Sequence, residues 1–188
     1  MEQKKKIWIA VIVCVLAWVF FTKTGQKVGC SFGKNPGLCY GVAKFYENNQ
    51  SYATAKEFYE LDAKRGQRHA QNALGIAYYK GRGVPQDYTQ AKYWFEKAAQ
   101  QNHTNAFLWL GHMHYKGYGV EQDFTQAKKY FQQAIDNGDS NGLTQIGIMY
   151  EEGKGVEQSY TQAKKYYQQA CNANDTKACT YLEEINKN

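Results

Sequence analysis

AQNALGIAYYKGRGVPQDYTQA, residues 70–91, returns as AFLWLGHMHYKGYGVEQDFTQA at 106–127 and as GLTQIGIMYEEGKGVEQSYTQA at 142–163. The period is 36 residues: Gly75, Gly111 and Gly147 share one register, and Gly81, Gly117 and Gly153 a second. Gly83, Gly119 and Gly155 keep a third, and Thr-Gln-Ala-Lys stands at 89–92, 125–128 and 161–164. Self-similarity at this period means stacked supersecondary units rather than one globular core.

Each unit reads as a pair of helices, A and B. Ala73, Leu74, Ala77 and Tyr78 recur at helical spacing and give helix A one apolar face. Gly81 and Gly83 end it, because glycine supplies the positive φ of a C-cap. Asp87, Asp123 and Ser159 are natural N-caps for helix B, whose stripe is Tyr88, Ala91, Trp94, Phe95 and Ala98. Gly-x-Gly here follows a helix, not a strand, so it is no phosphate loop.

The pattern A-x-x-x-L-G-x-x-Y-x-x-G-x-G-V-x-x-D-Y-x-x-A-x-x-W-[FY]-x-x-A-A resembles the Sel-1-like repeat family, relatives of the tetratricopeptide repeats. Residues 70–105 match it nearly throughout, from Ala70, Leu74 and Gly75 to Trp94, Phe95 and Ala98. Residues 106–141 match with Phe124, Tyr130 and Phe131 as aromatic variants and His114 in a Tyr slot. Residues 142–177 carry Gly142 for Ala, Ile146 for Leu and Ser159 for Asp. The resemblance implies an all-α, right-handed α-solenoid of stacked helix pairs, with repeats at about 34–69, 70–105, 106–141 and 142–177 and a cap at 178–188. The first unit fits if Tyr46 takes the repeat Tyr position, its A–B link being four residues shorter. Thr176 to Asn186 reads as a final helix A.

The chain of 188 residues carries 23 Lys+Arg against 17 Asp+Glu, a net +6. Lys4, Lys5, Lys6, Lys23 and Lys27 supply most of that excess, and residues 31–188 hold only about +2. A nearly neutral body has no electrostatic footprint for nucleic acid. Between the lysines lies IWIAVIVCVLAWVFF, Ile7 to Phe21, uncharged and apolar on every face. The expectation is one N-terminal transmembrane helix within an anchor segment, 1–29, with the lysine triplet retained in the cytoplasm. A single-pass protein of the bacterial inner membrane follows, its 30–188 body in the periplasm. Signal cleavage, releasing a periplasmic or secreted body, is the alternative. Trp18-Val19-Phe20-Phe21 lacks the small residues a peptidase needs, which favours the anchor.

Four cysteines fall in two close pairs, Cys30 with Cys39 and Cys171 with Cys179. In an oxidising compartment each pair closes a loop of about ten residues; otherwise they are thiols in helices. Export favours the first reading. The family resemblance implies, for Cys171 and Cys179, a disulfide joining helix B of one repeat to helix A of the next.

Catalytic patterns do not assemble. Ser31-Phe32-Gly33-Lys34 spells S-x-x-K and Lys23-Thr24-Gly25 spells K-T-G, as in serine β-lactamases and penicillin-binding proteins. Their order is reversed and Gly33 and Pro36 place the Ser in a loop, so coincidence is the better explanation. His112 and His114 lie about 200° apart on a helix and cannot share an ion. The expectation is a protein that is no enzyme and holds no cofactor and no metal.

Recognition remains. In solenoids of this kind helix A lines the concave face, and the resemblance assigns inward positions copy by copy. They are Tyr40, Lys44 and Glu47; then Asn72, Ile76 and Tyr79; then Leu108, His112 and Tyr115; then Thr144, Ile148 and Glu151. Aromatic area beside amides suits a protein partner or an extended peptide. Two roles stay open: an anchored adaptor, or an immunity protein of the kind that, in this family, neutralises type VI phospholipase effectors.

Overall fold

Nine α-helices and no strand are found among residues 38–187, the part of the chain that the computed structural model describes. They run as pairs: α1 (Leu38–Asn48) with α2 (Tyr52–Lys64), α3 (Arg68–Lys80) with α4 (Tyr88–Ala99), α5 (Thr104–Lys116) with α6 (Phe124–Asp136), and α7 (Asn141–Glu152) with α8 (Tyr160–Asn172). A single helix, α9 (Thr176–Ile185), closes the order. Each helix packs chiefly on its neighbours in sequence, as expected of an all-α solenoid.

The helix ends follow the local chemistry. Gly81, Gly117 and Gly153 sit at φ 66°, 73° and 66°, left-handed backbone that stops α3, α5 and α7. Asp87, Asp123 and Ser159 accept from the backbone N–H groups of Gln90, Gln126 and Gln162, capping α4, α6 and α8. Asp175 caps α9 through Lys177 and Ala178.

Within each pair a glycine and an aromatic ring set the approach. A Cβ on Gly75 would lie 2.6 Å from the Phe95 ring, on Gly111 2.5 Å from Phe131, and on Gly147 2.5 Å from Tyr167. All three rings are fully buried. A neighbouring stack confirms the shortened first unit. His114 stacks on Tyr130 and Tyr150 on Tyr166, each sixteen residues on, whereas Tyr46 stacks on Phe58, twelve on. His114 therefore does occupy the Tyr slot, but by stacking. Its Nδ1 is buried without a hydrogen-bond partner.

Asp62 is fully buried where the later copies hold Ala98, Ala134 and Ala170. Its carboxylate accepts from the Tyr40 N–H at 2.8 Å, so α2 ties down the start of α1. Cys39 packs in the first core cluster with Phe58 and Tyr59. Its proposed partner Cys30, the S-x-x-K and K-T-G segments and the apolar run 7–21 lie outside the described residues. Among those described, no helix is long and apolar enough to cross a membrane.

Candidate functional site

Some of the helix A positions assigned to a concave face line cavities, and many are engaged within the fold. Leu108, His112 and Thr144 come together in a groove of about 300 Å³ formed by α5, α7 and the start of α9. Its other lining residues are Asn105, Trp109, Asn141, Gln145, Asp175 and Lys177. Ile76 and Glu47 line a separate crevice of about 10 Å³, too small for a ligand. Several assigned side chains, Thr144 and Glu47 among them, make their bonds inside the fold.

That engagement corrects the sequence expectation. Tyr115 is 7% exposed and Thr144 only 3%, so neither offers contact area. Tyr115 donates its hydroxyl to Glu152, and Thr144 donates to Asp175 at 2.6 Å, linking α7 to the cap of α9. Asn72 is 6% exposed. Glu151 accepts from Tyr167 at 2.6 Å and Glu47 from Tyr59 at 2.7 Å. Tyr79 is half-buried among Tyr88, Trp109 and Tyr118, with ring centroids 5.3, 4.8 and 6.1 Å away. Ile148 packs beside the Ala163–Tyr167 core. Tyr40 lies half-buried against Tyr59 and His69, and Lys44 is exposed, paired with Glu47 at 2.8 Å.

The groove has one apolar wall and one rung of polar side chains. Trp109 stacks on the buried Phe95 ring at 5.7 Å, and the Lys80 ammonium lies over the Trp109 ring, 5.5 Å from its centroid. His112 meets Phe131 edge to face at 5.4 Å. Burial first, then Lys116 and Lys177, holds its imidazole below the usual pKa, so it is neutral in neutral solution. Asn105, Asn141 and Lys177 share one register at 36-residue intervals and form the rung along helices α5, α7 and α9. Amides at this spacing can both donate to and accept from an extended backbone.

Six of the nine lining residues were missed by sequence reasoning. The signal was available in the period itself. Asn105, Asn141 and Lys177 recur in register about one helical turn before the assigned stripe, and Trp109 and Gln145 recur one position after its first member. Among the described residues no group of three or more His, Cys, Asp or Glu converges as a metal centre.

A disulfide joins Cys171 on α8 to Cys179 on α9, as the family resemblance implied. Asp175 and Lys177 both lie within the loop that it closes. The crosslink thus fixes one wall of the groove.

Stacked helix pairs define a helical-repeat scaffold. The family model of the Sel1 repeat matches residues 68–103, 108–139 and 140–175, and the chain belongs to that family. Its repeat is a non-catalytic scaffold, and Sel1-repeat proteins typically mediate protein–protein interaction. The structure is similar to that of a Sel1 repeat protein from Oxalobacter formigenes, 28% identical, with TM-score 0.76 over 86% of this chain and 69% of that one. It is similar to a protective antigen present in uropathogenic Escherichia coli strains, 25% identical, TM-score 0.75, over 90% of this chain. The chain spans 36% of that antigen's length. Cysteine rich protein B of Helicobacter pylori is 22% identical, with TM-score 0.49 over 64% of this chain and 94% of that one. No curated protein sequence matches the chain.

Proposed function

We propose that this protein is an adaptor of the bacterial cell envelope that holds an extended segment of a partner protein in the α5–α7–α9 groove. The groove itself carries the reading: about 300 Å³, an indole and a leucine on one side, and amides in repeat register on the other. Such a surface supplies apolar area for side chains and donors and acceptors for a backbone. Anchoring through residues 7–21, with the body in the periplasm, rests on the lysine-flanked apolar run. The disulfide fits an oxidising compartment. No reaction is assigned to the protein, and no cofactor or nucleic acid is required by this role.

Site-specific photo-crosslinking in cells tests it. A crosslinker at Asn105 or Gln145 should capture a discrete partner, whereas one at Lys129 or Lys165, exposed on α6 and α8, should not. Capture only from the helix B positions would move the recognition face to the opposite side of the solenoid.

A further inference from the structure

The sequence offers His112 and His114 as its only close histidine pair, and the helix turns them apart. The fold assembles a different pair. His69 at the start of α3 and His103 at the N-cap of α5 are 34 residues apart, with Nδ1 of the first 3.1 Å from Nε2 of the second. We infer that His69 and His103 form a binding site for one divalent late first-row transition-metal ion, bridging the starts of two successive A helices.

The separation suits chelation. Two imidazole nitrogens, each about 2.0–2.1 Å from one ion, stand about 3 Å apart when the angle at the metal is near a right angle. The rings meet edge to face, centroids 4.9 Å apart and planes at 76°, so a modest rotation turns both lone pairs to a common point. Without metal the same two nitrogens share one hydrogen. On binding, the ion replaces that hydrogen. If it sits on His69 Nδ1 it relocates to Nε2 of that exposed ring, and both imidazoles stay neutral. His103 is already a neutral ligand in neutral solution. Burial, then His69 and Arg68, lowers its pKa to about 4.

A metal-bound histidine usually donates its second N–H to a fixed acceptor. His103 Nδ1 is buried without a partner, and so is Asn72 Oδ1. Two repeats on, the residues in these same registers are Asp175 and Thr144, which bond at 2.6 Å. By register Asn72 Oδ1 faces His103 Nδ1, so a small side-chain adjustment on metal binding would let it accept that N–H.

A cavity of about 260 Å³ opens on the pair, with Asn102, Thr104 and Asn105 on its walls, so water can complete the coordination. Imidazole donors without a carboxylate suit copper, nickel or zinc rather than calcium or magnesium. Arg68 lines the same cavity and opposes a cation, although its guanidinium donates to Gln101 O at 3.2 Å. The equivalent pairs in later copies are Asn105 with Asp139 and Asn141 with Asp175, so the described chain has one such site. Asn105 also lines the α5–α7–α9 groove, which places the ion at the groove's rim.

Cu(II) is the probe, because it heads the affinity order for nitrogen sites. Full-length protein in detergent is loaded with one equivalent and read by pulsed electron paramagnetic resonance and by calorimetric titration. Two equatorial imidazole nitrogens are expected, lost in His69→Ala and in His103→Asn and kept in His114→Gln. Affinity in His69→Ala should fall about 10-fold or more while the metal-free variant stays folded, because His69 is exposed and its loss removes one hydrogen bond to His103. Failure to find imidazole ligation, or a spectrum and affinity that survive unaltered in His69→Ala, overturns the site.

Discussion

The hydroxyl of Tyr167 donates to the carboxylate of Glu151 at 2.6 Å, joining the two helices of the fourth pair. Burial, then that hydrogen bond, keeps the phenol's pKa well above its ordinary value. Tyr59 and Glu47 form the same bond in the first pair. In the two copies between, helix B holds Phe95 or Phe131 and helix A holds Tyr79 or Tyr115 in these registers. The two positions trade polarity together: a carboxylate stands opposite a phenol, and a phenol opposite a phenyl ring.

Breaking this pair on one side should therefore cost more than exchanging both partners. Tyr167→Phe leaves Glu151 without its donor and should lower stability by about 1–3 kcal/mol. Adding Glu151→Tyr recreates the middle copies and should recover most of the loss. Urea denaturation of the two single variants and the double variant measures the coupling; strictly additive values would remove it.

Two glycines on helix A should respond to alanine with opposite signs. A Cβ on Gly111 would stand 2.5 Å from the buried Phe131 ring, so Gly111→Ala should destabilise by about 1–3 kcal/mol through overpacking. Gly41 lies within α1, exposed and with nothing within 4 Å of its would-be Cβ. Gly41→Ala should stabilise by about 0.5–1 kcal/mol, since alanine loses less backbone freedom in a helix. Thermal melting of both variants compares the signs directly.

His103 makes the fold acid-sensitive. Its pKa in the folded chain is lowered to about 4 by burial, then by His69 and Arg68, against 6.5 for the free side chain. A depressed value means the stabilisation is complete above about pH 6.5 and is lost as pH falls toward 4. Partial solvent access limits the effect to about 1–2 kcal/mol. Melting followed from pH 7 to 4 in metal-free buffer should fall less steeply in His103→Asn, which keeps an N-cap residue in place. Parallel curves would assign the titration to other groups.

The Cys171–Cys179 disulfide should govern the last helix rather than the whole solenoid. It closes a loop of eight residues' separation, worth about 2–3 kcal/mol by loop entropy. A terminal element has only one neighbour and frays first. In Cys171→Ser with Cys179→Ser, amide exchange should quicken across α9 and leave α3 to α6 protected. The Thr144–Asp175 bond and Lys177 would then lose their fixed place on the groove wall.

The repeat, its period and its helix ends were legible in the amino-acid sequence because their causes act within a few residues. Gly81, Gly117 and Gly153 stop helices through their own φ, and Asp87, Asp123 and Ser159 cap amides three positions away. Even the shortened first link could be read, since Tyr46 had to meet the next ring twelve residues on instead of sixteen. Which side chains of helix A remain open was decided only by the stack. Thr144 is closed by Asp175, 31 residues later, and Glu151 by Tyr167 across the pair. His69 and His103 meet because α3 and α5 start side by side, not because of any spacing written in either helix. Periodicity sets the backbone of each unit. The packing between units, where Gly119 meets Tyr88 and Gly155 meets Phe124 of the preceding pair, decides which neighbour each side chain finds.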